Sequence, residues 1–180
     1  SSGYKGIKKY GRAYDSILWF SRGQSFIFNA QFIPYEETYI KSHYNQTDEK
    51  GRKYRTHWLG TTTKETIEKF LETGRVVKRP DGTFEKRLYL DDQPGTPVDD
   101  IWTDIDPLNS QAKEDTKYPT QKSEALLERI IAASSNSGDL VADFFCGSGT
   151  TAAVAEKMGR SWIATDLGKF GIHTTRKRLI

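Results

Sequence analysis

A Rossmann-like α/β fold carrying an α+β insertion is the architecture this chain predicts, on three observations. Residues 139–166 read as a short apolar strand, a Gly-rich turn, an alanine-rich helix that stops at Gly159, and a second strand ending on Asp166. Upstream of them, Leu126, Leu127, Ile130 and Ile131 form a helical stripe that Asn136, Ser137 and Gly138 close. Between residues 32 and 110 the pattern changes to a hairpin signal flanked by helical stretches.

Taken from the start, residues 1–9 are rich in glycine and lysine, and residues 12–21 form an apolar run that predicts a strand. A turn at 22–25 and a brief extended piece at 26–29 follow. Residues 35–44 predict a helix with Tyr35, Tyr39 and Ile40 on one side. The stretch 50–58 mixes Lys50, Arg52, Lys53 and Arg55 with Tyr54, His57 and Trp58, and fits equally a nucleic-acid contact or a solvated basic loop with its aromatics packed inward. Residues 63–73 predict a helix with Ile67, Phe70 and Leu71 as its stripe, ended by Gly74. A hairpin then runs through 75–78 and 83–90 around the turn Arg79-Pro80-Asp81-Gly82. Residues 91–99 are a loop, 101–105 a short apolar contact and 106–109 a turn. The end, 170–180, predicts a helix whose Arg176, Lys177 and Arg178 suit a helix C-terminus and read as solvated charges.

The totals bound the possibilities. At 180 residues the chain is one domain, or one domain with an insertion, and long enough for a real core. A formal charge of +3 permits polyanion binding without demanding it. No apolar run approaches a membrane span, so a membrane role is not expected. The single cysteine, Cys146, excludes an internal disulfide framework and fits a reducing cytoplasm. The three histidines lie apart, with no metal-ligand spacing, so no metal is expected.

Residues 139–166 carry the chemistry. Gly147 and Gly149 let the backbone turn sharply and approach a ligand, because neither has a Cβ. The first amides of the following helix offer N–H donors to an anionic group. Asp166 stands 19 residues after Gly147, near the usual offset for a carboxylate that grips ribose hydroxyls. The unit therefore predicts a nucleoside-containing cofactor. Gly147-x-Gly149-x-x-Ala152 formally fits a dinucleotide fingerprint, which keeps an NAD-dependent oxidoreductase open. Asp143, at the end of the first strand, suits instead a cofactor with a cationic amino group.

The order Asp143-Phe144-Phe145-Cys146-Gly147-Ser148-Gly149-Thr150-Thr151 resembles the cofactor motif of the N6-adenine/N4-cytosine DNA methyltransferases. Residues 117–131, opening Lys117-Tyr118-Pro119-Thr120-Gln121-Lys122, resemble that family's preceding motif. The resemblance implies a Rossmann-like methyltransferase fold, partial here, and S-adenosylmethionine as cofactor. Carried over residue by residue, Asp143 would hold the cofactor's amino group and Asp166 its ribose. Backbone and hydroxyls of Gly147, Ser148, Gly149, Thr150 and Thr151 would cradle its carboxylate and methionyl chain. Phe145 would lie beside it, with Thr120, Gln121 and Lys122 at the carboxylate end. Cys146 reads as a small spacer.

The same resemblance divides the chain into a strand remnant of the catalytic half (1–31), a target-recognition insertion (32–110) and a cofactor-binding half (111–180). It makes double-stranded DNA the partner, with a restriction subunit or a second copy as further partners. Within the insertion, Lys50, Arg52, Lys53, Tyr54, Arg55 and Trp58 are the expected DNA contacts, cations for phosphates and aromatics for bases. Lys78, Arg79, Lys86 and Arg87 around the hairpin are weaker candidates. The family's catalytic Asp/Asn/Ser-Pro-Pro-aromatic tetrapeptide has no counterpart, because the sequence contains no Pro-Pro pair. Asp106-Pro107-Leu108-Asn109 lacks both the second proline and the aromatic. The chain thus reads as the C-terminal part of a larger site-specific enzyme of restriction–modification type, inactive alone. Adenine N6 is the expected target, with cytosine N4 as alternative; a non-catalytic DNA- or cofactor-binding module is a further reading.

Overall fold

The computed structural model describes residues 14–60 and 62–180. The glycine- and lysine-rich opening and the first two residues of the expected strand, Arg12 and Ala13, lie outside them. The described part of that run, 14–21, and the piece at 26–29 form no strand. Neither joins a strand ladder among the described residues, and a strand exists only where a ladder does. The chain reverses near Gly23, bringing Trp19 edge-on to Phe26 with ring centroids 4.8 Å apart. Asn29 then anchors the segment: its Nδ2 donates to the carbonyls of Ala132 (3.0 Å) and Ser135 (3.1 Å).

Strand β1, Phe32–Ile33, pairs antiparallel with a strand far along the chain, Thr96–Pro97. Helix α1 follows at Glu37–His43, then β2 at Gln46–Thr47, β3 at Lys53–Trp58, helix α2 at Lys64–Glu72, β4 at Val76–Lys78 and β5 at Phe84–Tyr89. A short 3-10 turn, Leu90–Asp92, leads into Thr96–Pro97, which is β6. Strands β2, β3, β5 and β4 form one antiparallel sheet in that order. The expected helices and hairpin are therefore present. The basic stretch 50–58 is not a loop, however: most of it is β3, an inner strand. Its alternation of Tyr54, Thr56 and Trp58 against Lys53, Arg55 and His57 is the period of a sheet with two different faces. Gly95 closes the insertion at φ +128°, where an added Cβ would stand 2.2 Å from the Ile33 carbonyl oxygen.

The C-terminal part is the βαβ unit that the sequence predicts, preceded by helix α3, Glu124–Ser134. Strand β7 (Leu140–Asp143), helix α4 (Thr150–Lys157) and strand β8 (Ser161–Ala164) follow, with β7 and β8 parallel and in register from Leu140↔Ser161 to Asp143↔Ala164. Helix α5, Lys169–Leu179, ends the fold. Its core is Ile131, Val154 and Ala155, with Leu127, Val141, Met158 and Trp162 packed against them. The small residues Ala152, Ala153 and Ala155 let α4 lie close to the sheet. Val141 and Trp162 face this core, whereas Leu140 and Ile163 point to the other side and stay exposed.

Candidate cofactor-binding site

The parallel register places Asp143 and the loop ending in Asp166 at the same, C-terminal edge of the two strands, the edge where open α/β sheets bind ligands. Between them runs the turn of residues 144–149. Gly147 and Gly149 hold φ of +49° and +75°, conformations that strain any residue with a Cβ. Contacts demand glycine as well. A Cβ at Gly149 would lie 2.7 Å from Thr175 Oγ1, and one at Gly147 would lie 3.2 Å from Tyr118 Cε1. The latter ring stacks on Phe170 at 5.4 Å and 11°.

Both carboxylates are tied to this turn. Asp143 Oδ1 accepts from the Phe145 N–H at 3.0 Å, and its Oδ2 from Thr151 Oγ1 at 2.6 Å. Asp166 Oδ2 accepts from the Gly147 N–H at 2.8 Å and Oδ1 from the Gly168 N–H at 2.7 Å. The Gly168 and Gly147 amides hold Asp166 below the ordinary carboxylate range, so it is an anion at any physiological pH. A carboxylate has roughly four lone-pair sites, and each of these uses two, leaving acceptor sites on both.

The hydroxyls expected to cradle the ligand are each bonded within the protein. Ser148 and Thr150 are buried, 3.1 Å apart through their oxygens. Thr150 Oγ1 donates to the Lys122 carbonyl at 3.2 Å, and Thr151 is bonded to Asp143. What the turn offers is backbone: the first amides of α4, which have no carbonyl one turn behind them. Phe145, 90% exposed, projects from the turn, and Cys146 is buried against Thr175, as a spacer would be.

The upstream motif divides. Gln121 is a brace: its Oε1 accepts from the Thr116 N–H (2.9 Å) and hydroxyl (2.5 Å), and its Nε2 donates to the Glu114 carbonyl at 2.7 Å. Thr120 is exposed, and Lys122 reaches Asp15 at 3.0 Å. A hollow of about 240 Å³ adjoins Asp166, lined by Leu167, Lys169, Ile172, His173 and Arg176. A larger one, about 560 Å³, lies along α3 between Gln31, Asp104 and Arg129, and no residue of the glycine turn lines it.

Three residues of α5 escaped the sequence reading. Gly171 admits the Gly147 carbonyl, since a Cβ there would lie 3.1 Å from its oxygen. Thr175 Oγ1 donates to that carbonyl at 3.1 Å. Arg178, expected to be solvated, has a side chain only 8% exposed and pairs with Glu124 at 2.7 Å. Spacings of four and three along one helix were the available signal, but the basic run around Arg178 masked it.

The six expected DNA contacts separate into three that are engaged within the fold and three that are exposed. Arg52 is bonded to Asp91 (2.8 Å) and Asp92 (2.9 Å) and lies 4.0 Å over the Tyr89 ring. Tyr54 is buried beside Tyr89, and Arg55 donates to the Tyr39 hydroxyl at 3.2 Å. These three hold the insertion together, and the Arg52 charge is neutralised inside it. Lys50, Lys53 and Trp58 are exposed. Around the hairpin, Arg79 pairs with Glu85, Lys86 lies over Phe70 and Arg87 over Tyr54, while Lys78 is exposed. Among the described residues no three His, Cys, Asp or Glu side chains converge as a metal site would need, and no helix is long and apolar enough to cross a membrane.

A family model described as DNA methylase matches residues 1–177. The type II methyltransferase M.EcaI of Enterobacter cloacae is 30% identical over 187 residues, covering 91% of this chain and 41% of the relative. The type II methyltransferase M2.DpnII of Streptococcus pneumoniae is 46% identical over 86 residues, covering 47% of this chain and 31% of the relative. Among solved structures, the M1.HpyAVI–SAM complex aligns at 25% identity with a TM-score of 0.38, over 73% of this chain and 76% of that one. This chain thus spans about two fifths of M.EcaI.

Proposed function

The chain belongs to the DNA methylase family, and from that premise we propose that it forms the cofactor-binding and target-recognition part of an S-adenosylmethionine-dependent DNA amino-methyltransferase of restriction–modification type. The observation that carries this reading is the pair of carboxylates, Asp143 and Asp166, at one edge of two parallel strands on either side of a glycine turn. Asp143 takes the amino group of the methionyl end, its remaining lone pairs replacing water around the cation. Asp166 takes the ribose hydroxyls. The first amides of α4 face the carboxylate, which their partial positive charge favours. Phe145, standing out of the turn, covers the cofactor from solvent.

The bound cofactor supplies an electrophilic methyl on a sulfonium. This chain holds and orients it; residues 111–180 do that work, and residues 32–110 read the target. Exposed Lys50 and Lys53 contact phosphates, and Trp58 meets a base or sugar. We take adenine N6 as the target amine. Cytosine N4 is the alternative. The Pro-Pro tetrapeptide that would hold the amine is absent from these 180 residues, so in this reading the chain binds cofactor and DNA without methyl transfer. The setting is a reducing cytoplasm, which the single cysteine suits.

Calorimetric titration of the chain with S-adenosylmethionine, and separately with NAD, tests this. Saturable binding of the former alone, weakened in Asp166→Ala, is expected. Binding of NAD in its place would sink the proposal.

A further inference from the structure

Arg178 lies near the far end of α5, yet its guanidinium reaches both loops of the candidate site. Nη1 donates to Thr150 Oγ1 at 3.1 Å, and that hydroxyl donates to the Lys122 carbonyl at 3.2 Å. Nη2 donates to Glu124 Oε1 at 2.7 Å and lies 3.7 Å from Glu114 Oε2, which accepts from the Glu124 N–H at 2.8 Å. Four segments therefore meet on one side chain: the loop through Glu114, the start of α3, the start of α4, and α5. One turn earlier on the same helix face, Thr175 donates to the Gly147 carbonyl, and Gly171 lets the turn approach. The three positions follow the i, i+4, i+7 spacing of one helical face.

We infer that Arg178 is a positioning residue for cofactor binding, clamping the 118–122 loop to the glycine turn through Thr150. This rests on the cofactor reading above and goes beyond it, because Arg178 touches no ligand in that reading. A planar fork with several fixed donors can satisfy Thr150 and Glu124 at once; a lysine, with one point charge, cannot hold both in that geometry. Burial at 8% exposure makes the contact unforgiving, since each partner left behind is an unsatisfied polar group.

The test compares Arg178→Ala, Arg178→Lys and Thr150→Val with a control, Arg129→Ala. The control removes another mostly buried guanidinium, paired with Asp104 and stacked on Trp102, from a site remote from the turn. Amide hydrogen exchange of the ligand-free chain is read at Gly147 and Gly149, whose N–H groups are bonded to Asp166 and to the Cys146 carbonyl. The clamp predicts exchange at these two amides faster by about tenfold or more in Arg178→Ala and Thr150→Val, with β3 amides unchanged. Arg178→Lys recovers melting temperature through Glu124 but not turn protection. Arg129→Ala leaves the turn as in the wild type. Wild-type exchange at the turn in Arg178→Ala, or equal acceleration in Arg129→Ala, would overturn the inference. Titration with S-adenosylmethionine separates the two readings. If the wild type binds, Arg178→Ala is expected to bind about tenfold more weakly. If the wild type does not bind, the cofactor proposal falls, and the exchange result still decides whether Arg178 clamps the glycine turn.

Discussion

The two halves of the molecule order themselves by opposite means. In the βαβ half the backbone is the instrument: four glycines at positive φ, carboxylates accepting main-chain amides, and alanines that let α4 lie against its strands. In the insertion the side chains are. Guanidinium planes cover tyrosine rings, Arg52 over Tyr89 and Arg87 over Tyr54, and Arg52 and Arg75 bind the acidic turn at Asp91 and Asp92. The difference teaches that a basic aromatic composition is not by itself a nucleic-acid surface. Here half of it replaces the aliphatic core that a small four-stranded sheet lacks.

Substitutions that act on one half alone break that contrast. Largest is Gly149→Val, which combines positive φ with a Cβ 2.7 Å from Thr175. It should destabilise the βαβ half by about 4 kcal/mol and abolish cofactor binding, read by thermal unfolding and calorimetry. Next is Tyr89→Ala, which empties the ring stack under Arg52. It should cost the insertion about 3 kcal/mol while leaving S-adenosylmethionine affinity within twofold. A large loss of affinity there would mean that the halves are coupled.

Smaller is Asp166→Ala, with affinity down about tenfold and the fold retained. The pH dependence sharpens this one. Because Gly168 and Gly147 amides depress the folded-state pKa of Asp166, its contribution is fully present above the ordinary carboxylate value. It is lost only as pH falls through that depressed value, so binding should stay flat from neutrality to about pH 5 and drop below about 4. Smallest is Lys53→Ala, which should leave stability within about 0.5 kcal/mol and lower the salt slope of DNA binding by about one, measured by fluorescence anisotropy. Arg52→Ala should do the reverse, unfolding the insertion before it alters the salt slope.

How much was legible depended on the range of the interactions. The βαβ unit, α3, both insertion helices and the hairpin were readable, because caps, glycines and apolar spacing act within a few residues. The strand expected at 12–21 fails over its described part for the same reason: apolar content was read, but a ladder needs a partner that the run does not itself supply. Strand β3 was hidden because its alternation sets Tyr54, Thr56 and Trp58 against Lys53, Arg55 and His57 rather than aliphatic against polar residues. Arg178 was hidden by Arg176 and Lys177, which are exposed.

By itself, then, the sequence determined where the backbone turns and which carboxylates end the parallel strands, since Gly147, Gly149, Asp143 and Asp166 act on their own local geometry. Tertiary structure alone decided which charges are available. Arg52 and Lys53 are neighbours in sequence, but one meets Asp91 and Asp92 from a segment almost forty residues away and the other meets solvent. Charge type is written in the chain; neutralisation is a matter of distance, and distance is set by the fold.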